Sequence, residues 1–378
     1  MPISLATFNA YNLQSPGAPM YRLPRGGHSS WTAEQYEKKI RWTAAMIERV
    51  DTDLIGFQEA WSVAALKDAF ARAGRGIGKT YHLVARDGAP GRPQVALAAR
   101  RTRFDVKAAA WTEQVPPHFR LRHGRVEDAA DLDAVDVRIS SLSRPPLAVR
   151  LRLKGGPYKG SELAVWVAHL KSKRPLHLDR RHYPTSRGQP NPWSPYREAI
   201  GSALSTVRRA AEATALRMML TDAMQSEPSL PTVLLGDLND ATLSVTTTLV
   251  SGEPPYKLWS RSTAGSGGAR TQVGLYTAET LQQYRSQRDV YYTHVHANRM
   301  ESLDHVMVSR HFYDHSADRL WSFREMKVWN DHLHDANPGG RTAAQWPGDH
   351  AIVAAWFDDD AAPRTPGMAS VAAAGETP

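Results

Sequence analysis

The sequence predicts one α+β domain in which strands lie sandwiched between other layers, and three observations predict it. Eight short apolar runs, several of them apolar on both faces, have the length and composition of buried strands. Two other segments repeat apolar residues at helical spacing or run long and Ala-rich. Neither a clear linker nor an internal repeat divides the 378 residues, a length that large two-sheet folds often spend on a single core.

Taken in order, residues 3–8 are an apolar run ending in polar Asn9, as a strand delivering a side chain to a rim would be. Residues 14–31 are rich in Pro, Gly and Ser and read as a loop. Thr32 with Gln35 makes a capping box, after which Tyr36, Ile40, Ala44 and Ile47 predict a helix with one buried face. Residues 53–57 form a buried strand ending at Gln58 and Glu59. Residues 94–99, 148–153, 163–168, 232–235, 303–308 and 351–356 are further strands. Residues 174–195 are a Pro-rich basic loop, and 196–224 a long helix. The domain is expected to span 1–358, and 359–378, acidic and then Ala/Pro/Gly-rich, to be a disordered tail.

There is no Cys, which excludes disulfides, thiolate metal ligands and cysteine nucleophiles. No stretch approaches the roughly 20 apolar residues of a membrane span, and the N-terminus lacks signal-peptide regions. The expectation is therefore a cytoplasmic protein with no membrane or protein partner. A net charge of +9 favours polyanionic partners. Arg outnumbers Lys roughly three to one, and a guanidinium fork suits phosphate oxygens better than an ammonium. Between Lys171 and Arg209, nine Lys/Arg face only Asp179 and Glu198, so most of the surplus sits in a tenth of the chain. The bland alternative is a solvated Arg-rich surface.

The apolar runs share one habit. Five of them, or the turns beside them, present a metal- or phosphate-competent residue at one edge: Asn9, Glu59, His169, Asp237 with Asn239, and Asp304 with His305. A sixth pair, Asp349 and His350, precedes the last run. A carboxylate buried beside a strand is costly unless paired or bound to a cation. Without Cys, this set points to an oxygen-rich Mg²⁺ or Mn²⁺ site.

In order, Ser4-Leu5-Ala6-Thr7-Phe8-Asn9, Asp53-Leu54-Ile55-Gly56-Phe57-Gln58-Glu59, Val167-Ala168-His169-Leu170-Lys171, Gly236-Asp237-Leu238-Asn239-Asp240, Leu303-Asp304-His305 and Gly348-Asp349-His350 resemble the ordered motifs of the endonuclease/exonuclease/phosphatase, or DNase I-like, superfamily. A lone Gln-Glu or Asp-His would arise by chance; six in sequence would not. Ser143-Arg144-Pro145-Pro146-Leu147 and Asn330-Asp331-His332 resemble auxiliary motifs of bacterial members. The resemblance implies a four-layer α/β/β/α sandwich of two mixed, largely antiparallel sheets, with the site at one edge of both.

It also implies in-line attack of water on a phosphoester, aided by Mg²⁺ or Mn²⁺. Glu59 would be the principal metal ligand, helped by Asn9, with Asp349 a ligand or an acid just behind it. Asp237 would orient and deprotonate the water, and Asn239 would fix that water and a phosphate oxygen. His350 would donate to the phosphoryl oxygens, with Asp304 as its carboxylate partner. His169 would stabilise the transition state or protonate the leaving oxygen. Arg144, Lys171, Arg180 and Arg181 are the candidates for substrate phosphates. Each has a plainer reading: a capped strand-end carboxylate for Glu59, a turn-former for Asn9, structural or solvated cations for Arg144 and Lys171.

Other residues weigh less. His294-Val295-His296 would chelate a metal if it lay on a strand, where i and i+2 share a face, but a pair of surface histidines is the simpler reading. His332 and His334 fall in the same class, and Arg208 and Arg209 read as the solvated face of their helix.

For the substrate, DNA or RNA is favoured: the basic stretch follows His169 directly and interleaves Tyr183, Trp193 and Tyr196, as backbone phosphates and unpaired bases require. His-Leu-Lys-Ser-Lys at 169–173 departs from the abasic-site repair members, which carry an aromatic residue near this place. A phosphatase or phosphodiesterase acting on a small or lipid-like phosphate is the alternative. The inositol-phosphatase signature around Asp237 and a sphingomyelinase-type docking hairpin are both missing from the sequence, which lowers it. A catalytically silent scaffold is disfavoured because Glu59, Asp237 and His350 are all present.

Overall fold

Period-two alternation along the apolar runs decides the layering. The computed structural model describes residues 2–23, 26–127, 131, 133–178, 183, 191–256, 273–286, 291–296, 299–333 and 348–359. Strand β1 (Ile3–Leu13) sends Ile3 and Leu5 into one apolar cluster and Ala6, Phe8 and Ala10 into another. A strand buried on both faces must lie between two layers.

Within the described residues two six-stranded sheets form. The first joins β1, β2 (Leu54–Ala60), β3 (Tyr81–Val84), β4 (Gln94–Arg100), β15 (Trp321–Trp329) and β16 (Ile352–Asp359) in the order β15-β16-β1-β2-β4-β3. The second joins β5 (Phe104–Trp111), β8 (Leu147–Leu153), β9 (Glu162–His169), β10 (Thr232–Asp237), β11 (Tyr276–Thr277) and β14 (Asp304–Val308) in the order β11-β14-β10-β9-β8-β5. Each is antiparallel except at one pair, β1 with β2 and β9 with β10. Two small hairpins, β6 (Leu121–His123) with β7 (Val135–Val137) and β12 (His294–His296) with β13 (Arg299–Glu301), stand outside the sheets.

The sheets pack face to face through Leu5, Leu54, Leu97 and Val353 on one side and Val149, Val165, Val233, Leu235 and Val306 on the other. Gly56 lies at their closest approach: a Cβ there would fall 2.7 Å from the Leu235 Cβ. Helices α1 (Ala33–Val50) and α2 (Val63–Arg72) cover the outer face of the first sheet through Ile40, Ile47, Leu66 and Phe70. Helices α3 (Arg197–Ser226) and α4 (Val245–Ser251) cover the second through Leu216, Leu220 and Val250. A short helix, α5 (Ala278–Gln283), sits against β14 and β15. The result is the α/β/β/α sandwich of two mixed sheets.

The capping box is formed: Gln35 N donates to Thr32 Oγ1 at 3.2 Å, and Thr32 N donates to the Gln35 side chain at 2.9 Å. Strand β1 does not stop at Asn9 but continues to Leu13, with Tyr11 and Asn12 in the left-handed region. Arg208 and Arg209 are not a solvated face. Arg209 is buried and pairs with Asp240, and Arg208 pairs with buried Glu212. Strands β3, β5 and β15 and helix α2 lacked a sequence signal. Residues 360–378 lie outside the described residues, as does half of the basic loop. No helix among the described residues is long and apolar enough to cross a membrane.

Candidate active site

The parallel pairs bring the polar strand ends together. Because β9 and β10 run the same way, His169 and Asp237 arrive at one edge and are register partners. Strand β14 runs against β10, so its first residue, Asp304, stands opposite Asp237. Parity then aims the side chains. Val165 and Val167, Val233 and Leu235, and Val306 all face the other sheet. His169, Asp237 and Asp304 continue those rows in steps of two and face it as well. His305, one step off, turns to the helix side, where its Nε2 meets the Asp240 carbonyl at 2.8 Å.

On the first sheet, Asn9 shares the parity of Ile3 and Leu5. Glu59 does not: Ile55 and Phe57 face the helices, and by alternation so would Glu59. Its left-handed backbone, with φ of 56°, sits in an irregularity that shifts the register between Phe57 and Ala60, and this re-aims the carboxylate. Gln58 is used internally, accepting from Thr7 Oγ1 at 3.1 Å.

Asp237 is the hub. Asn9 Nδ2 donates to its Oδ2 at 2.9 Å, and the Asn239 backbone N–H donates to its Oδ1 at 2.8 Å. His169 Nε2 and His350 Nε2 lie 3.3 and 3.8 Å from Oδ2. Burial, opposed by His350 and reinforced by Asp304 and Glu59, pushes Asp237 up to about 7. His350 Nδ1 donates to Asp304 Oδ2 at 2.8 Å. Burial alone would depress His350, but Asp304, Asp237 and Asp349 hold it well above the ordinary histidine range. Burial, with Arg144 and His350 nearby, drives His169 the other way, well below that range. Two imidazoles beside one carboxylate are thus pushed in opposite directions, His350 up and His169 down. Asn239, also left-handed, donates from Nδ2 to the Leu170 carbonyl at 3.0 Å.

Glu59 and Asp349 form the acidic side. Burial first, then Asp349, raises Glu59 above the usual carboxylate range, and the Asn12 N–H donates to Glu59 Oε2 at 3.0 Å. Both carboxylates also act on the buried Lys39 ammonium, which has no hydrogen-bond partner. Two like-charged carboxylates sharing one field are a donor pair that fits a hard divalent cation, while the Asn9 amide oxygen accepts from Tyr11 N at 3.0 Å. Asp237, Asp304 and His350 also bring ligand atoms within 4.8 Å of one another, but Asp304 and His350 are already bonded to each other.

Arg144 Nη1 donates to the Leu170 carbonyl at 2.9 Å, and its charge is felt by Glu59, His169 and Tyr21, so it lies close to the same cluster. Lys171 folds back on its own loop, donating from Nζ to the Ser172 carbonyl at 3.0 Å and to the Arg174 carbonyl at 3.2 Å. Arg180 and Arg181 lie outside the described residues.

A family model described as the Endonuclease/Exonuclease/phosphatase family matches residues 6–350. The chain belongs to this family. Its members hydrolyse phosphoesters. Solved structures similar to it include a humanised D. rerio TDP2 bearing 14 mutations, 12% identical over 94% of this chain and 99% of that one, at a TM-score of 0.50. The human Nocturnin catalytic domain is 14% identical over 95% and 94%, at 0.49. A Bacteroides thetaiotaomicron mannosyl-6-phosphatase is 16% identical over 94% and 99%, at 0.48. At these identities the likeness is one of fold. No curated protein matches the chain by sequence.

Around this family site stand residues the sequence did not single out. Glu212, on α3, accepts from the backbone of both Ser143 and Lys171. Thr293 accepts through Oγ1 from Leu303 N at 2.8 Å and Asp304 N at 3.2 Å, fixing the start of β14. Tyr11, Tyr21, Trp31 and Trp61 pack behind Asn12 and Glu59. A buried acid on a basic helix is the one sequence signal that pointed to any of these. His332, read as a bland surface histidine, meets the His350 carbonyl at 2.9 Å and packs edge-on against Trp42. His334 lies outside the described residues.

Proposed function

We propose that this family member is a nuclease that hydrolyses phosphodiester bonds of a DNA or RNA strand, with Mg²⁺ or Mn²⁺ held by Glu59, Asp349 and Asn9. The cation supplies a more acidic water and neutralises phosphoryl charge. Asp237 orients the attacking water and takes its proton, and burial raises it above the usual carboxylate range, which makes it a better base. Asn9 and the Asn239 N–H hold that carboxylate in one orientation. Asn239 would fix the same water and a phosphate oxygen.

His350 donates from Nε2 to the phosphoryl oxygens as their charge builds, and Asp304 keeps its ring in the required tautomer. His169, held neutral, serves as a hydrogen-bond donor to the transition state rather than as an acid. Arg144 answers the phosphate charge from the cleft wall.

The observation that carries a strand over a small phosphate is the exposed aromatic surface on the chain leaving His169. Trp193 and Tyr196 are 37% and 59% exposed at the start of α3, and Tyr183 packs edge-on against Trp193 at 5.2 Å. Rings of this size left in solvent, on a segment rich in Arg and Lys by sequence, are a stacking surface for unpaired bases. Lys171, Arg180 and Arg181 would supply the backbone contacts.

The test is a substrate panel with Mg²⁺, Mn²⁺ and chelator: single-stranded DNA, plasmid, RNA, and mono- and diester nitrophenyl phosphates. Strand cleavage abolished by chelator, and slowed in Trp193→Ala/Tyr196→Ala, is expected. Fast monoester turnover with nucleic acids untouched would replace this reading with a small-molecule phosphatase.

A further inference from the structure

The hairpin β12–β13 brings an imidazole to the site from outside both sheets. Residue 294 forms an isolated antiparallel bridge with residue 350, and the two histidine rings lie 5.0 Å apart between centroids. The approach is clamped. Ala351 N donates to the Thr293 carbonyl at 2.7 Å, and Thr293 N donates to the Glu301 carbonyl at 2.9 Å. His294 Nδ1 is buried and has no hydrogen-bond partner. A buried imidazole nitrogen left without a partner invites an explanation, and an absent ion is one of the few available.

We infer that His294, Asp349 and His350 form a binding site for a borderline transition metal such as Zn²⁺, which shares Asp349 with the oxygen-rich set around Glu59 and adds two imidazoles in place of its other oxygen donors. Each of the three offers one ligand atom, and these lie within 4.8 Å of one another. Zinc bonds of about 2.0–2.2 Å place tetrahedral ligands about 3.4 Å apart, so the trio closes on an ion by moving roughly an ångström. Asp349 is exposed and follows Gly348, so it has room to do this. Two imidazoles and a carboxylate match zinc, copper or nickel better than magnesium, and zinc in addition accepts the open fourth position that a three-residue site leaves.

The site has a consequence for catalysis, and this part rests on the proposed function. His350 Nδ1 is occupied by Asp304, so only Nε2 is left for a metal, and coordination takes the place of the Nε2 proton. That proton is the one assigned to the phosphoryl oxygens. Zinc bound here is therefore an inhibitor of the Mg²⁺-supported reaction.

Binding is tested without substrate. Chelator-stripped protein in excess Mg²⁺ is titrated with Co²⁺, followed by its visible absorption, and then with Zn²⁺ by calorimetry. Wild type should take up the metal with a tetrahedral band. His294→Gln should weaken binding at least about tenfold. His294→Cys, which restores a strong ligand, should regain it. Equal Zn²⁺ affinity in wild type and His294→Gln, or no uptake by wild type in excess Mg²⁺, overturns the site. In the activity arm, Zn²⁺ should inhibit wild type and spare His294→Gln, whose basal turnover is unchanged. Inhibition that persists in His294→Gln overturns the inhibitory role. Because the cobalt band is read with no substrate present, failure of the nuclease reading leaves that measurement intact.

Discussion

Asp304 and His350 enter from different sheets, 46 residues apart, and meet in a buried hydrogen bond of 2.8 Å between Oδ2 and Nδ1. The backbone on either side is fixed: Asp304 opens β14 opposite Asp237, and Thr293 ties the segment before β16 to the segment before β14. The ring is therefore held in one orientation, with Nε2 3.8 Å from Asp237 Oδ2.

Asp304→Asn removes that control while keeping size. An amide here can present its NH₂ as easily as its oxygen, and the imidazolium loses its strongest support. The expected result is a fall in kcat of about 10²–10⁴-fold with little change in KM. Steady-state rates, with circular dichroism to verify the fold, decide it. Wild-type kcat in Asp304→Asn would remove His350 from the mechanism.

Lys39 supplies a pH prediction. Its ammonium is fully buried without a hydrogen-bond partner, 5.2 Å from the centroid of the Tyr11 ring, and burial lowers it from 10.5 to about 7, against the pull of Asp349 and Glu59. Between those two values the unfolded chain binds more protons than the folded one, so stability rises with pH across that window. In chelator-treated protein, the Tm of wild type should climb relative to Lys39→Met from about pH 7 toward 10. Below pH 7 the gap should be constant, with Lys39→Met the more stable. Parallel curves over the whole range would mean that the ammonium is satisfied in the fold.

Gly56 reports on the sheet packing. Among the described residues it is the one strand glycine whose Cβ would strike the opposite sheet, at Leu235. Gly56→Ala cannot be absorbed by a flexible side-chain tip, because the nearest atom is a Cβ. The sheets must separate locally, at a cost of about 1–3 kcal/mol. Urea denaturation measures this directly, and an unchanged midpoint would show that the sheets are less tightly apposed there.

How much of this could be read in advance follows the same physics. Strands β1, β2, β9, β10 and β14 announce themselves because both faces are buried and the apolar run stops at the rim. Their parity alone would have aimed Asn9, His169, Asp237 and Asp304 correctly. Glu59 would have been aimed wrongly, since nothing in the sequence reveals a left-handed glutamate. Edge strand β5 was invisible: only Phe104 among its residues is fully buried, so no alternation is written into it. The proposed role of His294 rests on a bridge to residue 350, and a three-residue strand has no periodicity to read. The basic stretch was overvalued in part. Lys173, Arg208 and Arg209 are matched by Glu301, Glu212 and Asp240, which lie outside the window in which the charges were weighed.

Glu212 shows what that pairing does. Buried at 1% exposure, its Oε1 accepts from Ser143 N at 2.9 Å and from Arg208 Nε at 2.8 Å, while Oε2 accepts from Lys171 N at 3.0 Å. One carboxylate thus pins the loop that carries Arg144 to the loop that follows His169. Glu212→Gln keeps one acceptor oxygen and turns the other into a donor facing the Lys171 N–H, leaving that group unpaired and the Arg208 charge unanswered. Stability should fall by about 1–3 kcal/mol. Because Glu212 does not face the reacting atoms, loosening both loops should raise KM about tenfold while moving kcat less. Chemical denaturation and steady-state kinetics on the cleaved substrate separate the two effects. A variant whose KM holds while its stability drops would confine Glu212 to the fold, and one whose kcat collapses instead would place the Arg144 loop in the chemical step itself.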